Sequence, residues 1–221
     1  DRAIADYDEA IRLDPGKAVA FNDRGIIWSY KGDRSRAIAD FEQAVRLDPG
    51  FVQAYINRGT MWNQAGEYDR AIADYDVAGR LDPNDFRIYN NRGNARRGKR
   101  DYDGAIRDYD EALRLKPDYA LAYANRGIAW HRKRQLNRAI VDFDEAIRLD
   151  VGLLRAFENR GLVWHEKGDF DRAIADHDHA IFLAPRQASG YLNRGNSYGN
   201  KGLNDKAIAD FTEALRLDPN E

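Results

Sequence analysis

Residues 52–85 read VQAYINRGTMWNQAGEYDRAIADYDVAGRLDPND, and the fold follows from the spacing inside this stretch. Tyr55, Gly59 and Trp62 recur at i, i+4 and i+7, which places them on one helical stripe. That helix stops at Gly66. A second stripe, Ala71, Ile72, Tyr75, Ala78 and Leu81, predicts a helix from Tyr68 to Leu81 that ends before Asp82-Pro83, because a proline disfavours helical geometry at the residue before it. Two helices joined by so short a turn lie antiparallel. Gly59 is expected to face Ala71 where the backbones approach closely, with Tyr55 and Tyr75 filling the space where the helices diverge.

The same unit recurs along the whole chain. Pro15, Pro49, Pro83, Pro117, Pro185 and Pro219 keep a period of 34, with Val151 at the one skipped position. Gly25, Gly59, Gly93, Gly127, Gly161 and Gly195 keep it too, each preceded by arginine, as do seven Ala-Ile pairs from Ala3-Ile4 to Ala207-Ile208. A strict period without insertions describes one supersecondary unit copied end to end, an all-α solenoid of antiparallel helix pairs. Residues 1–17 are a half repeat with the second helix only, and 18–221 hold six units: 18–51, 52–85, 86–119, 120–153, 154–187 and 188–221. The chain starts inside a repeat and is read as an excerpt of a longer protein. Its two end helices each lack a neighbour, which predicts exposed apolar surface and self-association through uncapped ends.

A net charge of -2 gives no global reason to expect nucleic acid or an anionic membrane as partner. The absence of cysteine removes disulfides, a thiolate nucleophile and Cys-ligated zinc. No run is apolar enough to span a bilayer and no signal peptide is visible, so the reading is a soluble chain whose compartment stays open, the cytoplasm being slightly favoured. No phosphate loop, nucleophile elbow or paired acid-base constellation interrupts the period, and no catalytic residue, cofactor or metal is assigned.

The pattern aromatic, Gly, aromatic, then Ala, an aromatic four later, Ala three after that, and Pro resembles the tetratricopeptide repeat (TPR), in a bacterial-type array, over the full length. Trp28, Trp62, Trp130 and Trp164 share one position of the unit, taken by Arg96 and Tyr198 in the other two. The resemblance implies a right-handed superhelix with first helices on its concave face, and a protein that binds other proteins.

The family usually has leucine before the repeated glycine, whereas this chain has Arg24, Arg58, Arg92, Arg126, Arg160 and Arg194. Across each hairpin stands an aspartate: Asp40, Asp74, Asp108, Asp142, Asp176 and Asp210. Structural ion pairs are expected, a ligand-binding arginine row being the alternative. On the opposite stripe of the first helices Asn57, Asn91, Asn125, Asn159 and Asn193 form a ladder of amides. An amide both donates and accepts, so such a ladder can pair with the backbone of an extended peptide, as similar asparagines do in superhelical members of the resembled family. The alternative is that these residues only help the repeat fold.

Arg96, Arg97, Lys99 and Arg100, then His131, Arg132, Lys133 and Arg134, make two turns strongly basic. They are either a solvated surface or an anchor, through Arg97, His131 and Arg132, for an acidic partner. Arg100 and Arg134 also stand where the other turns have glycine, at a cost on the order of 1 kcal/mol if the site is left-handed. His177 takes the core position of Phe41 and Tyr75, so the run Asp176-His177-Asp178-His179 is read as a core substitution and not as a metal cluster. The expected function is a non-catalytic scaffold holding an extended peptide or protein segment along its concave face. Two alternatives stay open: the targeting arm of a larger enzyme, and RNA binding of the pentatricopeptide kind, which the 34-residue period and mild acidity oppose.

Overall fold

The computed structural model describes residues 2–219, and every regular element among them is an α-helix. In order these are α1 (Arg2–Leu13), α2 (Ala18–Tyr30), α3 (Arg34–Leu47), α4 (Val52–Gln64), α5 (Tyr68–Leu81), α6 (Phe86–Gly98), α7 (Tyr102–Leu115), α8 (Ala120–Arg132), α9 (Leu136–Leu149), α10 (Leu154–Glu166), α11 (Phe170–Leu183), α12 (Ala188–Asn200) and α13 (Asn204–Leu217). Among the described residues no helix is long and apolar enough to cross a membrane. The contacts divide the chain, expected from sequence as one uninterrupted array, into two compact units, residues 1–116 and 117–221.

In the first unit each helix packs on the next, from α1 to α7, and the first helices α2, α4 and α6 also touch one another in turn. The second unit repeats this with α8 to α13, and α8, α10 and α12 are again consecutive neighbours. The first helices of each unit therefore form a continuous layer.

Each hairpin is closed by backbone chemistry at the left-handed turn residue. Gly32, Gly66, Gly168 and Gly202 have φ of +77 to +79°, and Arg100 and Arg134 adopt the same region at +66 and +61°. The next residue then donates its N–H back to the preceding helix, Asp33 to Trp28 O at 3.0 Å and Asp169 to Trp164 O at 3.0 Å, which satisfies a carbonyl the helix end would leave unpaired. In three of the six hairpins that residue is an aspartate whose carboxylate also accepts from the first turn of the following helix, Asp33 from Arg36 N at 3.0 Å, Asp101 from Gly104 N at 2.9 Å and Asp169 from Arg172 N at 3.2 Å, whereas Glu67, Gln135 and Leu203 make no such bond. One aspartate thus ends one helix and starts the next.

Between repeats the aspartate before the proline position folds its own turn. Asp14, Asp48 and Asp150 accept from the N–H of Gly16, Gly50 and Gly152 at 2.9–3.0 Å. The turn at Val151 therefore survives the missing proline. Where the aspartate is itself replaced, by Lys116 or Ala184, the proline is present.

Inside each hairpin the bulky ring sits at the closest approach. A Cβ added to Gly59 would stand 3.0 Å from the Tyr75 ring and 3.3 Å from the Ala71 carbonyl. This corrects the expectation that Tyr75 fills a region where the helices diverge: the hydrogen side chain of Gly59 leaves the slot that the ring occupies. The same slot holds Phe41, Tyr109, Phe143, His177 and Phe211 against Gly25, Gly93, Gly127, Gly161 and Gly195.

Candidate peptide-binding site

The six arginines before these glycines all grip the aspartate across their hairpin. In the second repeat Arg58 Nε and Nη2 donate to Asp74 Oδ2 and Oδ1 at 2.9 and 2.6 Å, and Arg24–Asp40, Arg126–Asp142, Arg160–Asp176 and Arg194–Asp210 repeat that fork at 2.6–2.9 Å. Arg92–Asp108 is the sixth, at 2.6–3.1 Å. Burial pushes the Asp74 carboxyl up against the pull of Arg58, whose own value is raised by its hydrogen bonds to Asp74. Each guanidinium also lies over the aromatic three residues earlier, Arg58 being 5.6 Å from the Tyr55 ring centre.

A second use of these arginines is not anticipated by the sequence reading. The remaining nitrogen, Nη1, reaches back to the preceding repeat: Arg24 to Asp8, Arg92 to Asp76, Arg160 to Asp144 and Arg194 to Asp178, at 2.6–2.7 Å. The signal was the acid two residues after the buried aspartate in every repeat but the last, in runs such as Asp176-His177-Asp178, with Thr212 at that place after Asp210. With all three nitrogens of these four side chains engaged, they are repeat fasteners, not a free row for a ligand.

Another exchange is visible only in three dimensions. Trp28, Trp62, Trp130 and Trp164 each carry an arginine on their ring, Arg36, Arg70, Arg138 and Arg172, at 3.9–4.7 Å. In the third repeat the arginine is Arg96, at the tryptophan position, and the partner position is Gly104. Arg96 Nη1 bonds Asp108 at 2.9 Å and the Gly104 carbonyl at 3.3 Å.

The five asparagines all stand on first helices, but burial of Asn125 takes it out of the expected groove lining. Asn57, Asn91, Asn159 and Asn193 are half-buried and Asn125 is buried. Several already have partners: Asn57 donates to Asn22 at 2.9 Å and accepts from Gln53 at 2.9 Å, Asn91 accepts from Asn90 at 3.3 Å, and Asn159 donates to Arg155 O at 2.7 Å. A peptide backbone pairing with these amides has to exchange for such bonds.

The basic turns carry part of their own counter-charge. Glu166 takes His131 at 2.9 Å and Arg134 at 2.8 Å, and Asp69 takes Lys99 at 2.5 Å. Arg132 is exposed, and Arg97 is half-buried with its Nε unpartnered. The histidines of α11 part company: His179 stacks on Phe157 with ring centres 4.1 Å apart, while His177 is 1% exposed at the ring slot. Burial, with His165 and Arg194 nearby, pushes the His177 imidazole down to about 4, so it is neutral. Among the described residues no three His, Asp or Glu side chains are grouped to hold a metal. In the second unit a cavity of about 350 Å³ opens on the first-helix layer, lined by Leu162, His165, His177, Asn193, Asn196 and Asn200. Of these, only Asn193 was a sequence-level candidate.

Family models described as Tetratricopeptide repeat match residues 29–86 and 188–221, and one described as TPR repeat matches 93–134. The chain belongs to the tetratricopeptide repeat family. Solved TPR-type structures agree on the fold. The APC/C hetero-tetramer Cut9-Hcn1 superposes with TM-score 0.85 at 22% identity, over 100% of this chain and 44% of that one, so the TPR chain here spans less than half of that relative. MamA superposes with TM-score 0.66 at 27% identity, over 76% of this chain and 92% of that one. YrrB, described as a TPR protein with an unusual peptide-binding site, superposes with TM-score 0.64 at 21% identity, over 83% and 95%. Among curated protein sequences, none matches this TPR chain.

Proposed function

We propose that this TPR chain is a non-catalytic scaffold that holds an extended peptide or protein segment along its first-helix layer. The observation that carries the reading is the layer itself. In the second unit α8, α10 and α12 are consecutive neighbours, and the half-buried amides Asn159 and Asn193 occupy equivalent repeat positions on two of them. Uncharged amides at repeat spacing supply donors and acceptors for a backbone of any sequence. YrrB, a TPR protein of similar fold, has a peptide-binding site, and a peptide is the natural occupant here by that likeness. An acidic preference has narrower support, since Glu166 pairs with Arg134 and also takes a bond with His131, which leaves exposed Arg132 as the main free cation of that turn.

Selection of displayed decapeptides on the intact chain tests the reading. Binders should compete with one another and lose affinity in the Asn159→Ala, Asn193→Ala double variant. Binders indifferent to that variant while it stays folded, or no binders at all, would overturn it.

A further inference from the structure

Six rings fill the glycine slot, and four of them match what faces them fifteen residues earlier in the chain. Tyr75 bonds Thr60 through its hydroxyl at 3.1 Å, and the Tyr109 hydroxyl donates to Asn94 at 2.9 Å. Phe41 and Phe143 pack in apolar clusters with Ile26 and Ile128. In the fifth repeat the polar ring of His177 is offered only Leu162 at that position, and neither ring nitrogen has a hydrogen-bond partner although the residue is 1% exposed. A buried polar group without a partner is costly, so such a site asks for a ligand or a solvent molecule to complete it.

The sixth repeat carries the reverse mismatch: Asn196 stands where Phe211 would be served by an apolar residue. Asn196, Leu162 and His177 all line the same cavity of about 350 Å³, with His165, Asn193 and Asn200. That volume is at the small end of ligand clefts, roughly 300–1,000 Å³. No carboxylate, lysine or arginine lines it, and the Arg194 guanidinium nearby is held by Asp210 and Asp178.

The lining selects by hydrogen-bond type. A neutral imidazole offers one N–H and one lone pair, and each asparagine offers both a donor and an acceptor. A carboxylate only accepts and would enter without a counter-ion, an ammonium only donates, and an aliphatic side chain leaves the ring nitrogens unmet. A primary carboxamide both donates and accepts. We propose that this cavity seats the side-chain carboxamide of a glutamine or asparagine in a bound peptide. The inference rests on the groove-binding reading above and gives it a sequence preference. The exposed Asn196 and Asn200 form the rim, with the Asn200 side-chain amide donating to the Asn196 carbonyl at 2.9 Å.

The test uses the intact chain with ¹⁵N-labelled histidine and the small probes propanamide and propanoate. Propanamide should shift the His177 ring nitrogens saturably, propanoate should not, and His177→Phe should remove the assigned signals' response. No response to propanamide, or an equal response to propanoate, overturns the inference. In parallel, decapeptides selected on the wild type should be enriched in Gln or Asn at one position, and replacing that residue should cost about tenfold in affinity on the wild type but little on His177→Phe. The same enrichment on both proteins overturns it too. The variant is safe to use because phenylalanine already fills this slot at Phe41, Phe143 and Phe211. Peptides that bind while propanamide is silent sink the cavity alone. A propanamide response without any peptide binder sinks the groove reading and leaves a carboxamide site.

Discussion

Arg160 joins two repeats with one side chain: Nε and Nη2 hold Asp176 of its own hairpin at 2.9 and 2.6 Å, while Nη1 holds Asp144 of the preceding one at 2.6 Å. The two bonds differ in environment. The Asp176 side chain is 7% exposed and that of Asp144 54%. Asp176→Ala should therefore cost about 2–3 kcal/mol, by stranding a shielded guanidinium, and Asp144→Ala below about 1 kcal/mol. Urea unfolding of the two variants gives the order, and equal losses would show that the inter-repeat arm matters as much as the buried fork.

Arg58 has no such backward bond among the described contacts, although Glu42 of the preceding repeat acts through space on both members of its pair with Asp74. Arg58→Leu should cost about 2–3 kcal/mol, whereas adding Asp74→Tyr should recover at least about 1 kcal/mol, since the double change removes both charges together. A double variant less stable than Arg58→Leu would mean that the pair contributes more than the apolar contact the family uses.

The neutral imidazole of His177 makes stability depend on pH. Its folded value, about 4, lies below the ordinary 6.5, so the unfolded chain binds more protons between these values and stability falls as pH drops through that window. Fully developed below pH 4, the loss is about 3 kcal/mol. His177→Phe should be more stable than the wild type already at pH 7, by about 1–2 kcal/mol from removing unpartnered polar atoms, and the gap should widen toward pH 4. Thermal melts at several pH values check this; a gap that stays constant with pH would mean the ring is solvated or partnered in solution.

Arg100 and Arg134 hold left-handed turns that their counterparts give to glycine. Arg100→Gly should stabilise by about 0.5–1 kcal/mol. Arg134→Gly should gain less, because it also gives up the bond to Glu166. A fall in melting temperature for Arg100→Gly would show that the arginine makes a compensating contact.

The helix pairs and the Arg–Asp forks were legible because period and spacing alone place Arg58 opposite Asp74. The cavity was not. It lies where two mismatched pairs, Leu162 with His177 and Asn196 with Phe211, come together as α10 packs on α12; each mismatch stands at a spacing of fifteen within its own repeat, but their meeting is a matter of packing between repeats. Tyr75 was misplaced for a related reason: the stripe shows that a ring faces the partner helix, while the depth of its slot depends on the missing Cβ of Gly59. The Arg96–Gly104 exchange was half visible, since the absent tryptophan at Arg96 was seen and its absent cation at Gly104 was not.

The double duty of Asp33 sets a rule for how such a chain can change length. Its amide closes α2 and its carboxylate opens α3, so one residue inserted beside it would break one of the two bonds and rotate the following helix by about 100°, turning its apolar stripe away from Gly25. Small insertions and deletions are thus disfavoured at this turn and at the Asp101 and Asp169 turns, which are built alike. A change in length by whole units of 34 residues leaves such turns intact, and the copies keep that period although they differ in sequence, as at His177 or Arg96.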